Sequence, residues 1–140
     1  MAETSLPPGA FHGLVHASMT PLLPRVGELP GVEETGLDGF LRRVHADAPP
    51  AVWWGLVGAA LAYQVGPLLT LGLPWPAAWL GVRRADDHAD RAARTPVYVL
   101  RQATFLLLTF AGLCWGADPD VRRSLSQDPI GPDPDAWRTS

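Results

Sequence analysis

Residues 95–127 read TPVYVLRQATFLLLTFAGLCWGADPDVRRSLSQ and contain the longest predicted helix of the chain. Apolar residues recur at helical spacing from Val97 to Trp115. The opposite side of the same helix is also apolar and includes Phe105 and Phe110. A helix that is apolar all round must be buried by protein on several sides or by lipid. No residue of the stretch has the chemistry of an active site, so the pattern predicts a protein that packs against something rather than one that acts alone.

Two pairs of residues in this stretch have the order that starts a helix. Thr95 and Pro96 suit an N-cap and a first helical position, and Asp118 and Pro119 repeat the arrangement. The sequence therefore predicts that the long helix begins at Pro96. It also predicts a short amphipathic turn or two over residues 121–125.

The rest of the chain is also predicted to be helical. Apolar residues fall on one face over residues 10–19 and again over residues 37–44. Residues 51–82 contain no charged residue and no histidine, and residues 52–65 of that run form the predicted continuous helix. Residues 83–94 are predicted to be a solvated helix or loop. The expected fold is all-α, an irregular bundle of five to seven short-to-medium helices.

The polar, Pro-rich ends of the chain set the expected domain boundaries. Residues 10–126 are predicted to form one helical domain, which agrees with a length of 140 residues. Residues 1–9 are a predicted flexible lead-in. Residues 127–140 are rich in Pro and Asp and are expected to be extended or disordered alone. Trp137 in this tail is either a docking anchor or incidental, and the sequence favours neither.

The charge-free run at residues 51–82 raises the question of a membrane. It is longer than the roughly 18 residues of a transmembrane candidate, but Gly66, Pro67 and Pro74 interrupt it. The remaining helix of about 14 residues would span only about 21 Å of a hydrocarbon core about 30 Å thick. A buried or interfacial hairpin is therefore the favoured prediction. The N-terminus lacks the basic and apolar regions of a signal peptide. We expect a cytoplasmic or peripheral membrane protein, exported only if a partner carries the signal.

Composition excludes several classes of function. The formal net charge is −3, every basic residue is Arg, and there is no basic stripe, so nucleic acid is not an expected partner. Cys114 is the only cysteine, so an internal disulfide is excluded. It lies among apolar residues, where a cysteine usually acts as a small hydrophobic side chain.

The side chains that could carry chemistry do not indicate an enzyme that acts by itself. His12 and His16 have the i, i+4 spacing of metal ligands, but a site needs a third ligand, so surface or capping histidines are the expected reading. The acidic cluster around His88 is expected to be solvated. Arg101 is expected to reach solvent near the start of its helix, the alternative being a buried ion pair. We predict no catalytic residue, no cofactor-binding residue and no metal ligand.

The order of these features resembles a known family. An N-terminal helix ending in Pro, a Gly/Pro connector, a short FLRRV helix, an apolar segment with GPLLTLGLP and a charged stretch precede the long helix. This order is similar to the small helical domain ahead of the flavin domain in long-chain alcohol oxidases of the GMC (glucose–methanol–choline) oxidoreductases. It also resembles gamma-type small subunits of membrane-bound gluconate dehydrogenases. The sharpest matches are residues 96–98 and residues 115–122, and the resemblance covers most of residues 10–130.

The resemblance implies an accessory subunit. Such a domain holds neither flavin nor catalytic histidine, so FAD would belong to a large partner subunit that this chain helps to fold, to stabilise or to reach the membrane. The chain lacks the twin-arginine leader of many exported small subunits, and residues 51–82 are more apolar than expected of a soluble one. The alternative is a small membrane-associated or two-helix membrane protein. The predicted interaction residues are Trp53, Trp54, Phe105, Phe110, Trp115 and Trp137.

Overall fold

The computed structural model describes residues 6–126 and confirms the all-α prediction for that range. Seven α-helices are connected by loops and short 3-10 turns, and the described residues contain no strand beyond one isolated bridge between Val26 and Leu29. The α-helices are α1 (His12–Met19), α2 (Leu37–Asp47), α3 (Pro50–Val65), α4 (Pro67–Thr70), α5 (Val82–Arg94), α6 (Tyr98–Ala117) and α7 (Pro119–Ser124). The predicted tail, residues 127–140, lies outside the described residues.

Helices α3 and α6 form the central pair of the bundle, and they run antiparallel. Gly55 near the start of α3 lies against Leu106 in the middle of α6, whereas Gly66 at the end of α3 lies against Leu100 near the start of α6. At Gly66 the absence of a side chain allows close approach, because a Cβ there would lie 3.0 Å from Cδ1 of Leu100. Residues of this pair supply much of the core.

The other helices cover one side of the central pair. α1 packs on α3, α5 packs on α6, and α2 contacts both α1 and α6. Their apolar stripes close a single core, as expected for amphipathic helices around a buried pair. Fully buried members of the core include Val15, Met19, Leu37, Leu41, Leu56, Ala60, Ala92, Leu107 and Ala111.

The two predicted helix starts behave differently. Asp118 caps α7 as predicted: its carboxylate accepts hydrogen bonds from the backbone N–H groups of Asp120 (2.9 Å) and Val121 (3.0 Å). The prediction at Thr95 is wrong by two residues, because α6 begins at Tyr98. The Thr95 hydroxyl instead accepts from Val97 N–H at 3.2 Å, which makes a local turn ahead of the helix.

Two glycines, Gly58 in the middle of α3 and Gly66 at its end, allow a sharp test of its packing. A Cβ at Gly66 would lie 2.8 Å from Cε1 of His88 and 3.0 Å from Cδ1 of Leu100, whereas a Cβ at Gly58 would meet nothing within 4 Å. We expect Gly66→Ala to destabilise the protein by about 1–3 kcal/mol through overpacking. Gly58→Ala should stabilise it by about 0.5–1 kcal/mol, because alanine loses less chain entropy in a helix. Denaturant unfolding of both variants measures the difference, and equal effects would contradict the packing described here.

Candidate docking face

The outward side of α3 is a stripe of exposed apolar residues. Trp54, Gly58, Leu61 and Val65 follow each other at helical spacing, and all four are exposed. Leu68 and Leu69 extend the exposed apolar surface into α4. A helix on the surface of a soluble domain normally carries charged or polar residues on this side. α3 has no charged residue on any side, so its outer stripe is a surface that water solvates poorly.

Helix α6 continues this surface. Its outward residues Val99, Gln102, Thr109 and Leu113 are exposed and share one side of the helix with half-buried Leu106. A Cβ on exposed Gly55 would lie 4.0 Å from Cδ2 of Leu106, so the outer stripes of the two helices adjoin. The α3/α6 face, as we name it, consists of Trp54, Gly58, Leu61, Val65, Val99, Gln102, Phe105, Leu106, Thr109 and Leu113.

The electrostatic character of the α3/α6 face differs from that of α5. None of the residues of the face is charged. The outer side of α5 instead carries alternating Arg and Asp residues, with i, i+4 ion pairs between Arg91 and Asp87 (2.9 Å) and between Arg94 and Asp90 (2.8 Å). The α5 surface is thus typical of a side that stays in water. Large exposed apolar patches are frequent at contact sites, so the α3/α6 face is the candidate docking surface of the described residues.

The two adjacent tryptophans of α3 have opposite surroundings. Trp53 is 3% exposed and its indole N–H donates to the carbonyl of Ala10 at 3.0 Å, so it fastens the start of α1 to α3. Trp54 is 54% exposed, and its ring meets that of Phe11 edge to face with centroids 6.3 Å apart. Of this predicted pair, only Trp54 is therefore placed to contact a partner.

The other predicted interaction residues are divided in the same way. Phe105 is 43% exposed and lies on the α3/α6 face. Phe110 and Trp115 are half-buried against the core, and the Trp115 indole N–H donates to the carbonyl of Pro30 at 2.8 Å. These two side chains are thus largely committed to internal packing. Trp137 lies outside the described residues. Leu61 and Val65 lie within residues 52–65, which were predicted as a docking surface, but neither they nor the exposed Leu113 were named as interaction residues, although they continue the spacing of Trp54 and Phe105.

His12, the first member of the predicted histidine pair, connects α1 to α2. Nε2 of His12 lies 2.7 Å from a carboxylate oxygen of Asp38, whose other oxygen accepts from Arg42 at 2.8 Å. The hydrogen bond from Arg42, followed by that from His12, lowers the pKa of Asp38. Within residues 6–126, no group of three or more His, Cys, Asp or Glu side chains is arranged to hold a metal ion.

The prediction that His88 is solvated is wrong. His88 is fully buried, with Nε2 at 3.0 Å from the carbonyl of Tyr63 and Nδ1 at 2.7 Å from the hydroxyl of Thr70. The charged residues of α5 are all exposed, whereas the ring of His88 packs on Tyr63 with centroids 4.6 Å apart. Burial lowers the pKa of His88, although the contact with the Tyr63 carbonyl acts in the opposite direction. His88 therefore joins the end of α3, α4 and α5.

Two further buried titratable groups, Cys114 and Tyr63, contact different parts of the chain. Burial raises the pKa of Cys114, whose thiol lies 3.7 Å from the hydroxyl and from the carbonyl of Thr35. Burial also raises the pKa of Tyr63, and its hydroxyl has no partner among the described residues. The thiol of Cys114 contacts Thr35, and both nitrogens of His88 already have partners in Thr70 and the Tyr63 carbonyl, so these groups give no candidate nucleophile paired with a base.

Arg101 lies near the start of its helix, as the first of the two predictions proposed, and not in a buried ion pair within residues 6–126. Its guanidinium lies near the start of α6, donates to the carbonyl of Thr95 at 2.8 Å and stands 5.8 Å from the ring centroid of Tyr98. Within residues 6–126 no acidic side chain pairs with Arg101, and its charge is accommodated at the first turn of α6.

Among the described residues, α6 is the one helix that length and composition would allow to cross a membrane. Its most apolar window has a mean hydropathy of 1.3, and 33% of that window is buried within the bundle. The core helix of a soluble protein meets the same criterion, so this finding alone does not distinguish lipid from protein as the neighbour of the α3/α6 face.

Comparisons of the chain with protein-family models, with curated proteins and with solved structures find no match.

Proposed function

We propose that this chain is a non-catalytic accessory subunit that binds a larger protein through the α3/α6 face. The observation that carries the proposal is the uncharged, exposed surface shared by two packed helices. A stable protein pair typically buries about 800 Å² on each partner, which a surface along two helices of 16 and 20 residues is long enough to provide.

The shape of the face favours a protein partner. Trp54, Leu61 and Phe105 project from the surface, whereas Gly58 leaves open space with nothing within 4 Å of a Cβ built there. Large side chains beside a recess suit a partner helix whose own side chains fill the recess. Tryptophan and other aromatic residues are also frequent among the residues that dominate binding energy.

The proposed partner is a flavin-dependent oxidoreductase of the GMC family. This part of the proposal rests on the resemblance of the chain to the small helical domains and gamma-type subunits of that family. FAD and the catalytic residues would belong to the large subunit, which this chain would stabilise or localise. Since the resemblance lies in packing and capping patterns, it indicates the partner class and not the substrate.

Co-expression with a GMC-type flavoprotein from the same genome tests the proposal. We expect the two chains to co-elute in size-exclusion chromatography at a constant ratio, with flavin absorbance in the shared peak. The flavoprotein should also gain thermal stability in the complex, because a ligand that binds only the folded state stabilises it. If this chain stays monodisperse and separate from every such flavoprotein tested, the proposal fails.

A second candidate function is attachment to a membrane surface, which the length and apolar character of α6 favour. In this case the α3/α6 face would lie on lipid. Flotation with neutral phosphatidylcholine vesicles separates the two candidates. A protein-docking face should leave the purified complex in the soluble fraction, whereas a lipid-binding face should carry the free chain to the vesicles even without a partner.

A further inference from the structure

A groove on another part of the surface is lined by residues that do not belong to the α3/α6 face. Its volume is about 530 Å³, and none of its lining residues belongs to α3 or α6. One wall comes from the end of α1 and the segment that follows it, over residues 16–34, and the other from residues 77–86. Ligand pockets in proteins usually have volumes of about 300–1,000 Å³. The groove is therefore large enough to receive a side chain and its neighbours, and it can be filled while the α3/α6 face is occupied.

A buried amide fixes the two walls of the groove relative to each other. The side chain of Gln64 donates to the hydroxyl of Ser18 on α1 at 2.8 Å, and its carbonyl accepts from the backbone N–H of Ala78 at 2.9 Å. Gln64 is 7% exposed and Ser18 is fully buried. Because both hydrogen bonds lie within the protein, the groove is formed before a ligand arrives, which lowers the entropy cost of binding.

The groove combines an apolar lining with a negative rim. Ala17, Leu23, Ala78 and Leu80 are among the apolar residues that line it. Four charged residues also line it: Arg25, Glu33, Glu34 and Asp86.

Only part of that charge is neutralised within the chain. Arg25 pairs with Glu34 at 2.6 Å. Neither Glu33 nor Asp86 forms an ion pair with another residue of the range 6–126, and both are exposed. The rim therefore carries an excess of negative charge beside an apolar surface.

We infer that this groove binds a basic peptide segment of a partner protein, with an apolar side chain flanked by arginine or lysine. The apolar side chain would fill the groove, and the flanking cations would meet the free carboxylates of Glu33 and Asp86. A peptide suits the site better than a small organic cation does. The groove is partly open to solvent, whereas a small-molecule site encloses most of its ligand. This inference does not depend on the identity of the partner at the α3/α6 face.

The test uses the full chain and the peptide acetyl-Gly-Arg-Leu-Arg-Gly-amide, with citrulline in place of both arginines as the uncharged comparison. Backbone amide NMR shifts give the affinity and the binding position. We expect shifts centred on residues 77–86 and 17–34. The arginine peptide should bind more tightly than the citrulline peptide, and added salt should reduce the difference because exposed charges are screened.

Matched variants test the two parts of the site. Glu33→Gln and Asp86→Asn should each weaken arginine-peptide binding about two- to five-fold, as expected for exposed ion pairs. Glu28→Gln makes the same charge change on an exposed residue that does not line the groove, and it should have no effect. Ala78→Tyr keeps the backbone hydrogen bond to Gln64 but fills the groove, so it should weaken both peptides at least tenfold.

Three results would overturn the inference. One is equal affinity for the arginine and citrulline peptides. Another is unchanged binding in the Ala78→Tyr protein once its folded state has been verified by NMR. The third is equally tight binding of free arginine amide, which would make the groove a small-cation site and not a peptide site.

Discussion

The double substitution Leu61→Asp and Phe105→Asp is expected to abolish complex formation with the flavoprotein while the chain stays folded. Both residues are exposed, on adjoining stripes of α3 and α6. Each substitution would place an unpaired carboxylate inside the proposed interface, where a buried charge without a partner costs about 2–5 kcal/mol. A loss of 2 kcal/mol already weakens binding about 30-fold, so the two together should remove measurable association. Isothermal titration calorimetry against the purified flavoprotein measures the loss.

A matched control separates docking from folding. Val26 is also an exposed apolar residue, but it lies in the connector between α1 and α2, away from the α3/α6 face. Val26→Asp should bind the flavoprotein as the unaltered chain does. Substitutions of exposed side chains usually change the free energy of unfolding by less than about 0.5 kcal/mol, apart from the small helix-propensity cost of Asp in α3 and α6. Full affinity in the double variant would show that the α3/α6 face is not the binding surface.

The sequence alone identifies α3 but not its orientation. Its residues are apolar on all sides, so periodicity does not distinguish the side that faces the core. Trp53 and Trp54 are consequently equivalent in the sequence, although the structure buries the first and exposes the second. The contact of Trp53 with Ala10 joins residues 43 positions apart, and a pattern of local spacing carries no information about such a pair.

Helix α5 shows the opposite situation, in which a usable pattern was present. Ala85, His88 and Ala92 have the spacing i, i+3, i+7, and with Ala89 they form the uncharged side of an otherwise charged helix. This pattern predicts an inward side that includes the histidine. The local density of Asp and Arg instead suggests a solvated segment when the residues are read without their helical positions. Helical periodicity could therefore have predicted the burial of His88.

Local backbone chemistry explains why one predicted helix start is right and the other is not. Asp118 is followed by a Pro and by two N–H groups that its carboxylate can reach, so the cap forms without help from distant residues. Thr95 is also followed by Pro, but its hydroxyl is engaged by Val97 two residues on, and Val97 keeps an extended backbone. This small turn makes Val97 the residue before the helix. The sequence pattern is compatible with a start at either Pro96 or Tyr98.

Replacement of His88 by alanine is expected to cause the largest loss of stability among the substitutions considered. The imidazole is fully buried where α3, α4 and α5 meet, so its removal leaves a cavity. It also removes hydrogen-bond partners from the Tyr63 carbonyl and the Thr70 hydroxyl. Large-to-small substitutions in a core cost about 2–5 kcal/mol, and lost buried hydrogen bonds add to this. Urea unfolding followed by circular dichroism gives the difference in the free energy of unfolding.

His88→Gln distinguishes the hydrogen bonds of His88 from its size. The glutamine amide nitrogen can take the place of Nε2 and donate to the carbonyl of Tyr63, while most of the side-chain volume is kept. We expect this variant to retain more stability than His88→Ala. If the two variants lose equal amounts, the contact with the Tyr63 carbonyl contributes nothing measurable, and His88 acts only by filling space.

The stability of the protein should also depend on pH through His88. Burial lowers the pKa of His88 in the folded state below the value of about 6.5 for an exposed histidine, so the unfolded chain binds a proton first as the pH falls. The contribution of neutral His88 is therefore complete above pH 6.5. It decreases as the pH falls from 6.5 towards the folded-state pKa, by at most about 1.4 kcal/mol per pH unit for one proton.

The comparison with His88→Gln isolates this titration from that of every other group, because glutamine carries no titratable proton. The free energy of unfolding of the unaltered chain should decline more steeply than that of His88→Gln as the pH is lowered from 7 to 5. Asp38 does not produce such a difference: its lowered pKa makes its contribution fall at more acidic pH, and it is present in both proteins. Parallel pH profiles would mean that His88 takes up its proton in the folded protein as easily as in the unfolded one, which is incompatible with an imidazole held neutral at the junction of α3, α4 and α5.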